Sequence, residues 1–431
     1  MKIKLVQIII LVTECDYSKS SGWCHASGDP HYISYDGIRF DFMGTCRYLL
    51  TGVQQNASFL DQPWFNVQVE HRRAWNSEVA MTEHVWLHFN SKNHNATNLS
   101  YQIYMKIADP PQGQGMPSRI STVITEHYFN TSIPLSVNEM RNEDFTMLNY
   151  GDRVIVKTWF GLQLEYVAYN WALDIFIPDC YNDIMEGLCG NYNGQQADDL
   201  IKSDGTLESN VTIFGQSWQV GGSEDTCEGG PDTFKECTDQ QVLEDCNLLL
   251  DNNGVFDVCL STDLPVETFY NNCVFDYCLD PAIKCGIMGQ YAQSCFRELA
   301  GQINNTANVC NWASVTGCAP ECGLNSVYTG CANVCKDSRT CSNRNDNIDD
   351  CQDNDRFMSM CVCIDGFVLE DGVCIPEEEC GCVTQNGASV SNGYIYQDCE
   401  HRCECMQGEY TCSDHSEDIC LSECGCTSKF L

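Results

Sequence analysis

Residues 191–199 read Asn-Tyr-Asn-Gly-Gln-Gln-Ala-Asp-Asp, which places several oxygen donors within nine positions. Asn191, Asn193, Gln195, Asp198 and Asp199 lie on a stretch that Gly190 precedes and Gly194 interrupts, so a tight polar loop is expected. A hard cation taking roughly six to eight oxygens suits such a loop, and Ca²⁺ is the ion of that description. The plain alternative is an Asn/Gly/Asp turn that binds nothing. A second acidic run, with Asp346, Asp349, Asp350, Asp353 and Asp355, lacks the glycine and closing glutamate of an EF-hand loop. It reads as a solvated acidic loop.

A second piece of chemistry is internal to the backbone. Gly28-Asp29-Pro30-His31 contains an Asp-Pro peptide bond. The Asp29 carboxylate can attack its own carbonyl carbon, the C–N bond breaks, and the proline nitrogen leaves once protonated; His31 is close enough in sequence to move that proton. The alternative is a strand entrance with no reactivity.

No enzyme motif accompanies these. The chain has no His-Glu-x-x-His, no Gly-x-Ser-x-Gly and no phosphate-binding glycine loop, so a non-enzymatic protein is expected. It does carry 32 cysteines, 6 at or before Cys227 and 26 from Cys237 onward. Such density persists as disulfides only in an oxidising compartment, and there bridges outcompete zinc for the Cys-x-Cys pairs.

The net charge of −37, from 23 Lys and Arg against 60 Asp and Glu, leaves no basic surface for nucleic acid. It equally disfavours anionic membranes. Residues 1–13 open with Lys2 and Lys4 ahead of an apolar run, the order of a signal peptide, though a buried first strand would read the same way. Six sequons, at Asn56, Asn95, Asn98, Asn130, Asn210 and Asn304, fit a secreted glycoprotein. No later segment is apolar and long enough to span a bilayer, and the Thr427–Leu431 end is no lipid-anchor tail.

The elements that must position these groups divide by cysteine content. Residues 22–228 are cysteine-poor and alternate apolar with polar positions at 65–70, 85–89, 101–107, 153–159, 162–167 and 171–177, with Gly161 and Asn170 as turns. Period-two runs separated by turn residues predict an antiparallel β-sandwich or barrel. From 237 to 318 two amphipathic helices are expected, at 239–250 and 287–300, within a set of eight cysteines at 246, 259, 273, 278, 285, 295, 310 and 318. Residues 319–381 and 382–431 have little periodicity, so crosslinks must replace a core there. The fold class is therefore mainly β, followed by small disulfide-rich modules.

This succession resembles a known assembly. Cys24 to Cys46, with Gly28-Asp29-Pro30-His31 and Tyr35-Asp36-Gly37, and Gly187-Leu188-Cys189-Gly190-Asn191 through Leu200, resemble a von Willebrand factor type D (VWD) domain. Phe269-Tyr270-Asn271-Asn272-Cys273-Val274-Phe275-Asp276-Tyr277-Cys278 resembles a C8 module. Cys361-Val362-Cys363 and Gly372 to Cys380 resemble a trypsin-inhibitor-like (TIL) module, and residues 382–431 its extension, with Cys403-Glu404-Cys405 and Cys424-Gly425-Cys426.

The resemblance implies calcium held by Asp36, Asn191, Asn193, the Gln195 carbonyl, Asp198 and Asp199. It implies bridges Cys24–Cys189 and Cys46–Cys227, and, in some members, slow acid-promoted scission between Asp29 and Pro30. It implies an extracellular matrix, mucus-type or adhesive glycoprotein that associates with extracellular proteins or glycoproteins, a second copy of itself among them. Inhibition of a serine protease through the TIL module is the competing function.

The chain also departs from the family. Glu186 stands where multimerising members have the first cysteine of Cys-Gly-Leu-Cys, and Gln55 stands near the position of its usual partner. One bridge is thus lost as a pair, and thiol–disulfide exchange, which needs two thiols within reach, is not expected. Cys15 and Cys180 match no family position and are left to pair with each other or with another chain.

Overall fold

The computed structural model describes residues 15–414 apart from 29, 55–61, 74–79, 109–118, 129–131, 136–138, 151, 169–170, 222–236, 280, 300–307, 338, 342, 345–356, 371, 386, 398–400 and 407. The expected signal peptide therefore lies outside the described residues, as do Asp29, Asn56, Asn130, Asn170, Cys227, Asn304 and the acidic run at 346–355.

Residues 20–186 form fifteen strands among the described residues. In chain order they are β1 (Ser20–Ser27), β2 (His31–Ile33), β3 (Arg39–Asp41), β4 (Arg47–Val53), β5 (Phe65–Arg73), β6 (Ala80–Asn90), β7 (Ser100–Ala108) and β8 (Arg119–His127). Then come β9 (Ser132–Leu135), β10 (Met140–Arg141), β11 (Phe145–Asn149), β12 (Arg153–Thr158), β13 (Gln163–Val167), β14 (Ala172–Pro178) and β15 (Met185–Glu186). One sheet runs β10-β11-β12-β13-β14-β1-β2-β3 and the other β15-β4-β5-β6-β7-β8-β9. All their pairings are antiparallel.

The period-two pattern does what the sequence implies. Along β5, Phe65, Val67 and Val69 are fully buried while Asn66, Gln68 and Glu70 face outward. Each such apolar side chain contributes roughly 1.5–3 kcal/mol through burial. Aromatic rings tie the two sheets together, with Phe65 stacked on Phe160 at 5.6 Å and Phe145 edge-on to Phe89 and Tyr101.

His71 is a buried polar residue in this core. Its Nδ1–H donates to the Gly44 carbonyl, and its Nε2 accepts from the Tyr32 hydroxyl, each at 2.9 Å. Burial pushes the imidazole down to about 4. A folded-state value below the unfolded one means that this stability is present in full above about pH 6.5 and is lost as pH falls toward and through about 4. The loss is about 3 kcal/mol, and in His71→Gln the fall in melting temperature between neutral and acid pH is expected to shrink accordingly.

Two short helices, α1 (His94–Thr97) and α2 (Val211–Ser217), decorate the sandwich, and a helical module follows it. In that module α3 (Gln240–Cys246) starts at Asp239, whose carboxylate accepts from the Gln241 and Val242 amides. It ends four residues before the expected Leu250, in a tight turn over Asn247–Leu250. A further helix, α4 (Val266–Leu279), was not expected as one, and α5 (Lys284–Glu298) begins three residues earlier than the reading above. Phe256, Phe269, Tyr291, Phe296 and Trp312 pack with cystines at its centre.

The eight cysteines do not close on themselves. Cys246–Cys273, Cys259–Cys295 and Cys285–Cys318 are internal, but Cys278 bonds Cys237 and Cys310 bonds Cys331 of the following module. The last of these staples the helical module to the strand Ser326–Asn333.

The modules fold back onto the first sheet. Arg153 on β12 donates to Glu165 Oε1 at 2.9 Å on β13 and to Gln293 Oε1 at 3.2 Å on α5, all buried. The Thr340 hydroxyl donates to Glu139 at 3.0 Å, and the Arg141 amide of β10 donates to the Gly387 carbonyl at 3.0 Å. The outward face of β12, β13, β14 and β1 is thus covered rather than solvated.

Candidate metal centre

The 190–199 loop lies between the end of the second sheet and the turn that joins β2 to β3. Ser34 to Ile38 form that turn, closed by the Ser34 amide on the Ile38 carbonyl at 2.9 Å. The turn presents Asp36 to the loop, where its carboxylate accepts from the amides of Asn193 at 3.0 Å and Gly194 at 2.9 Å. Cys24 of β1 is bonded to Cys189, directly before the loop, and Cys15 to Cys180. Cys46 is disulfide-bonded as well.

Hydrogen bonds link several of the sequence-named residues, Asp36, Asn193, Gln195 and Asp198. Asp199 is buried; its Oδ2 accepts from the Ser34 hydroxyl at 2.5 Å. Burial pushes its carboxyl up to about 7, the nearby Asp36 carboxylate adds to the rise, and the Ser34 hydroxyl opposes it. Asn193 Nδ2 donates to Asp198 Oδ2 at 2.9 Å, while Asn193 Oδ1 accepts from the Gln195 amide. Gln195 is exposed, with its carbonyl at 3.4 Å from the Asp198 amide. Ser34 was not named from sequence; no local pattern connects it to a residue 165 positions away.

The donor set fits a hard cation in one specific respect. Asn191 Oδ1, Asp198 Oδ1 and Asp199 Oδ1 are all buried with no hydrogen-bond partner. Buried acceptors in that state cost roughly 1–3 kcal/mol each, more when charged, so three in one loop call for a ligand. Gly190 keeps the space open: at its φ of 79° a Cβ would stand 2.2 Å from Asp199 Oδ1. Among the described residues no three His, Cys, Asp or Glu side chains suffice by themselves to hold an ion. Asn191, Asn193 and the Gln195 carbonyl are amide oxygens, a donor type that Ca²⁺ accepts.

The other named residues are placed as follows. Pro30 is buried, and His31 has Nδ1 2.7 Å from Asp41 Oδ1 and Nε2 2.8 Å from Asp276 Oδ1. Of the described sequons, Asn95 and Asn210 are exposed and Asn98 is half-buried. Asn210 caps α2, accepting from the Ile213 amide. Glu186 pairs with Gly52 across β15 and β4, and burial raises its carboxyl. All 26 described cysteines are in disulfides, so they offer no thiol for exchange.

Comparison with known proteins follows the same order along the chain. Residues 24–206 match the von Willebrand factor type D domain, 245–319 the C8 domain, and 322–380 the trypsin-inhibitor-like cysteine-rich domain. The chain is 29% identical to human IgGFc-binding protein over 424 residues, covering 92% of this chain and 7% of that protein. It is 29% identical to human alpha-tectorin over 410 residues, 90% of this chain and 17% of the relative. With pig zonadhesin it shares 28% identity over 421 residues, 94% of this chain and 15% of the relative. The chain spans less than a fifth of each of these relatives. Among the described residues no helix is long and apolar enough to cross a membrane. The chain is a von Willebrand factor type D assembly, its VWD, C8 and trypsin-inhibitor-like domains following one another in that order.

Proposed function

We propose that this chain is a calcium-loaded, non-catalytic association module of a secreted extracellular matrix, mucus-type or adhesive glycoprotein. The observation that carries the calcium part is three buried oxygens without hydrogen-bond partners in one loop, from Asn191, Asp198 and Asp199, with Asp36 bonded to the same loop. Asn193 and the Gln195 carbonyl would complete the sphere, and the bound ion would neutralise carboxylates that otherwise repel one another. The ion's role is structural: it would fasten the loop after Cys189 to the β2–β3 turn. Partners are extracellular proteins or glycoproteins, a second copy of the chain included.

The TIL module acts here as a packing element. Met358 on its strand Phe357–Cys363 is buried against Tyr150 and Ile155 of the β domain, and the Trp312 indole donates to Ser359 at 2.7 Å. Fastened to its neighbours in this way, it supports the association reading over protease inhibition. The Asp29–Pro30 bond, next to His31 in the sequence, is proposed as a slow self-cleavage site, and a new amino terminus at Pro30 after mild acid would mark it.

The deciding experiment is thermal unfolding of the secreted chain with Ca²⁺ and with chelator, alongside size analysis under reducing and non-reducing conditions. A melting temperature that falls on chelation, reversibly, is expected. An unchanged melting temperature removes the ion, and a monomer at every calcium concentration removes self-association.

A further inference from the structure

We infer that the C8 module is clasped to the β domain through a proton on His31, so that docking of α4 against β2 takes up a proton and tightens as the medium becomes more acidic. His31 lies on β2, almost wholly buried, with one carboxylate at each ring nitrogen: Asp41 of β3 on Nδ1 and Asp276 of α4 on Nε2. A carboxylate only accepts hydrogen bonds, and a neutral imidazole has one N–H to give. Serving both therefore requires the imidazolium.

The two carboxylates are not equivalent. The Asp41 side chain is 57% exposed and can turn to water when the ring loses its proton. That of Asp276 is 3% exposed and has no such exit. Its Oδ2 would lie 2.7 Å from a Cβ on Gly28, whose φ is 61°, so α4 delivers this carboxylate directly onto the β1–β2 turn. Deprotonating His31 leaves the Asp276 charge buried between modules without its counter-ion, a situation that costs several kcal/mol in general. Undocking α4 relieves it.

Among the described residues the surrounding charged groups do not replace His31. Arg39 of β3 is directed to the Thr268 hydroxyl of α4. His25 of β1 has Nδ1 on Asp174 at 2.8 Å and Nε2 against the Gln290 amide of α5, and Asp174 already receives Arg297 at 2.8 Å. That amide can present either its NH₂ or its oxygen, so His25 is served in both protonation states.

Hydrogen–deuterium exchange on the intact secreted chain, corrected for the intrinsic exchange rate, tests this at about pH 5.5 and about pH 7.5, either side of the histidine range. Peptides from α4 and from strands β1 to β3 of the wild type are expected to be better protected in acid. The gain can reach at most about tenfold per pH unit, the ceiling for one linked proton. His31→Gln should abolish that dependence. Asp276→Asn should abolish it too while keeping the shape of the contact, and it decides the matter alone if the His31 variant is not secreted. Equal wild-type protection at both pH values, or a dependence that survives either substitution, overturns the clasp. Acid weakens the core around His71, whose Nε2 meets Tyr32 on β2, so the opposite-signed effect of His31 is read in the α4 peptides. Running the series with and without Ca²⁺ separates this result from the calcium reading, on which it does not rest.

Discussion

Removal of both Cys15–Cys180 and Cys24–Cys189, by serine at all four positions, is expected to cost about 8 kcal/mol, while removal of either one costs about 3 kcal/mol. The bridges close loops of the same separation, 165 residues, and are offset by nine residues at each end. While one stays closed, breaking the other releases only the short double segment between them, a loop of roughly 18 residues worth about 3 kcal/mol of chain entropy. Breaking both also releases the long loop, worth about 5 kcal/mol more. The double loss therefore exceeds the sum of the single ones by about 2 kcal/mol, which denaturant midpoints of the three variants can measure. An additive result would show that the unfolded chain does not feel the two bridges as one clamp. A cost near 8 kcal/mol is comparable to the whole stability of an ordinary domain, so the quadruple variant is expected to fail in secretion.

Asp199→Asn is expected to abolish the calcium dependence of unfolding. With Ca²⁺ at about 1,000 times its dissociation constant, a bound ion contributes about 4 kcal/mol, which for a domain of this size is roughly 8–16 °C in melting temperature. The asparagine keeps the Ser34 contact possible and removes the charge that Asp36 faces. Without Ca²⁺ the variant should therefore melt at or above the wild type; with Ca²⁺ it should fall behind. A variant that still gains from Ca²⁺ as the wild type does would place the ion elsewhere. Gly190→Ala offers an independent check, because its methyl group would fill the space beside Asp199 Oδ1 without altering any charge.

The oxygen-rich loop was legible because its donors lie within nine residues and glycine brackets them. The strands at 65–70, 85–89 and 101–107 were legible because one face is apolar and the other meets water. The same alternation misleads in β13 and β14. Glu165 and Asp174 read as solvent-facing, yet both are buried under the C8 module, where Arg153 and Arg297 meet them. A polar face covered by another polar face carries no apolar signature. Helix α4 escaped for a related reason: alongside buried Phe269 and Cys273 it places buried Asp276 against the sandwich, which breaks a purely apolar stripe. The pairing of His31 with Asp276, 245 positions apart, has no local signal at all.

The far end of the first sheet carries a separate consequence. Strand β10 is its terminal strand, and there the chain after the TIL module returns: Met140 bridges Ala388, and the Arg141 amide reaches the Gly387 carbonyl. An unguarded terminal strand is a template on which a second polypeptide can continue the sheet. The residues just beyond Cys382 act as a stopper on that template. A fragment ending ahead of them keeps the core residues of the sandwich strands but loses Ala388, which packs in that core, and it exposes backbone groups ready to recruit a neighbour. Such a fragment would report on adventitious strand exchange rather than on the native contacts of the molecule.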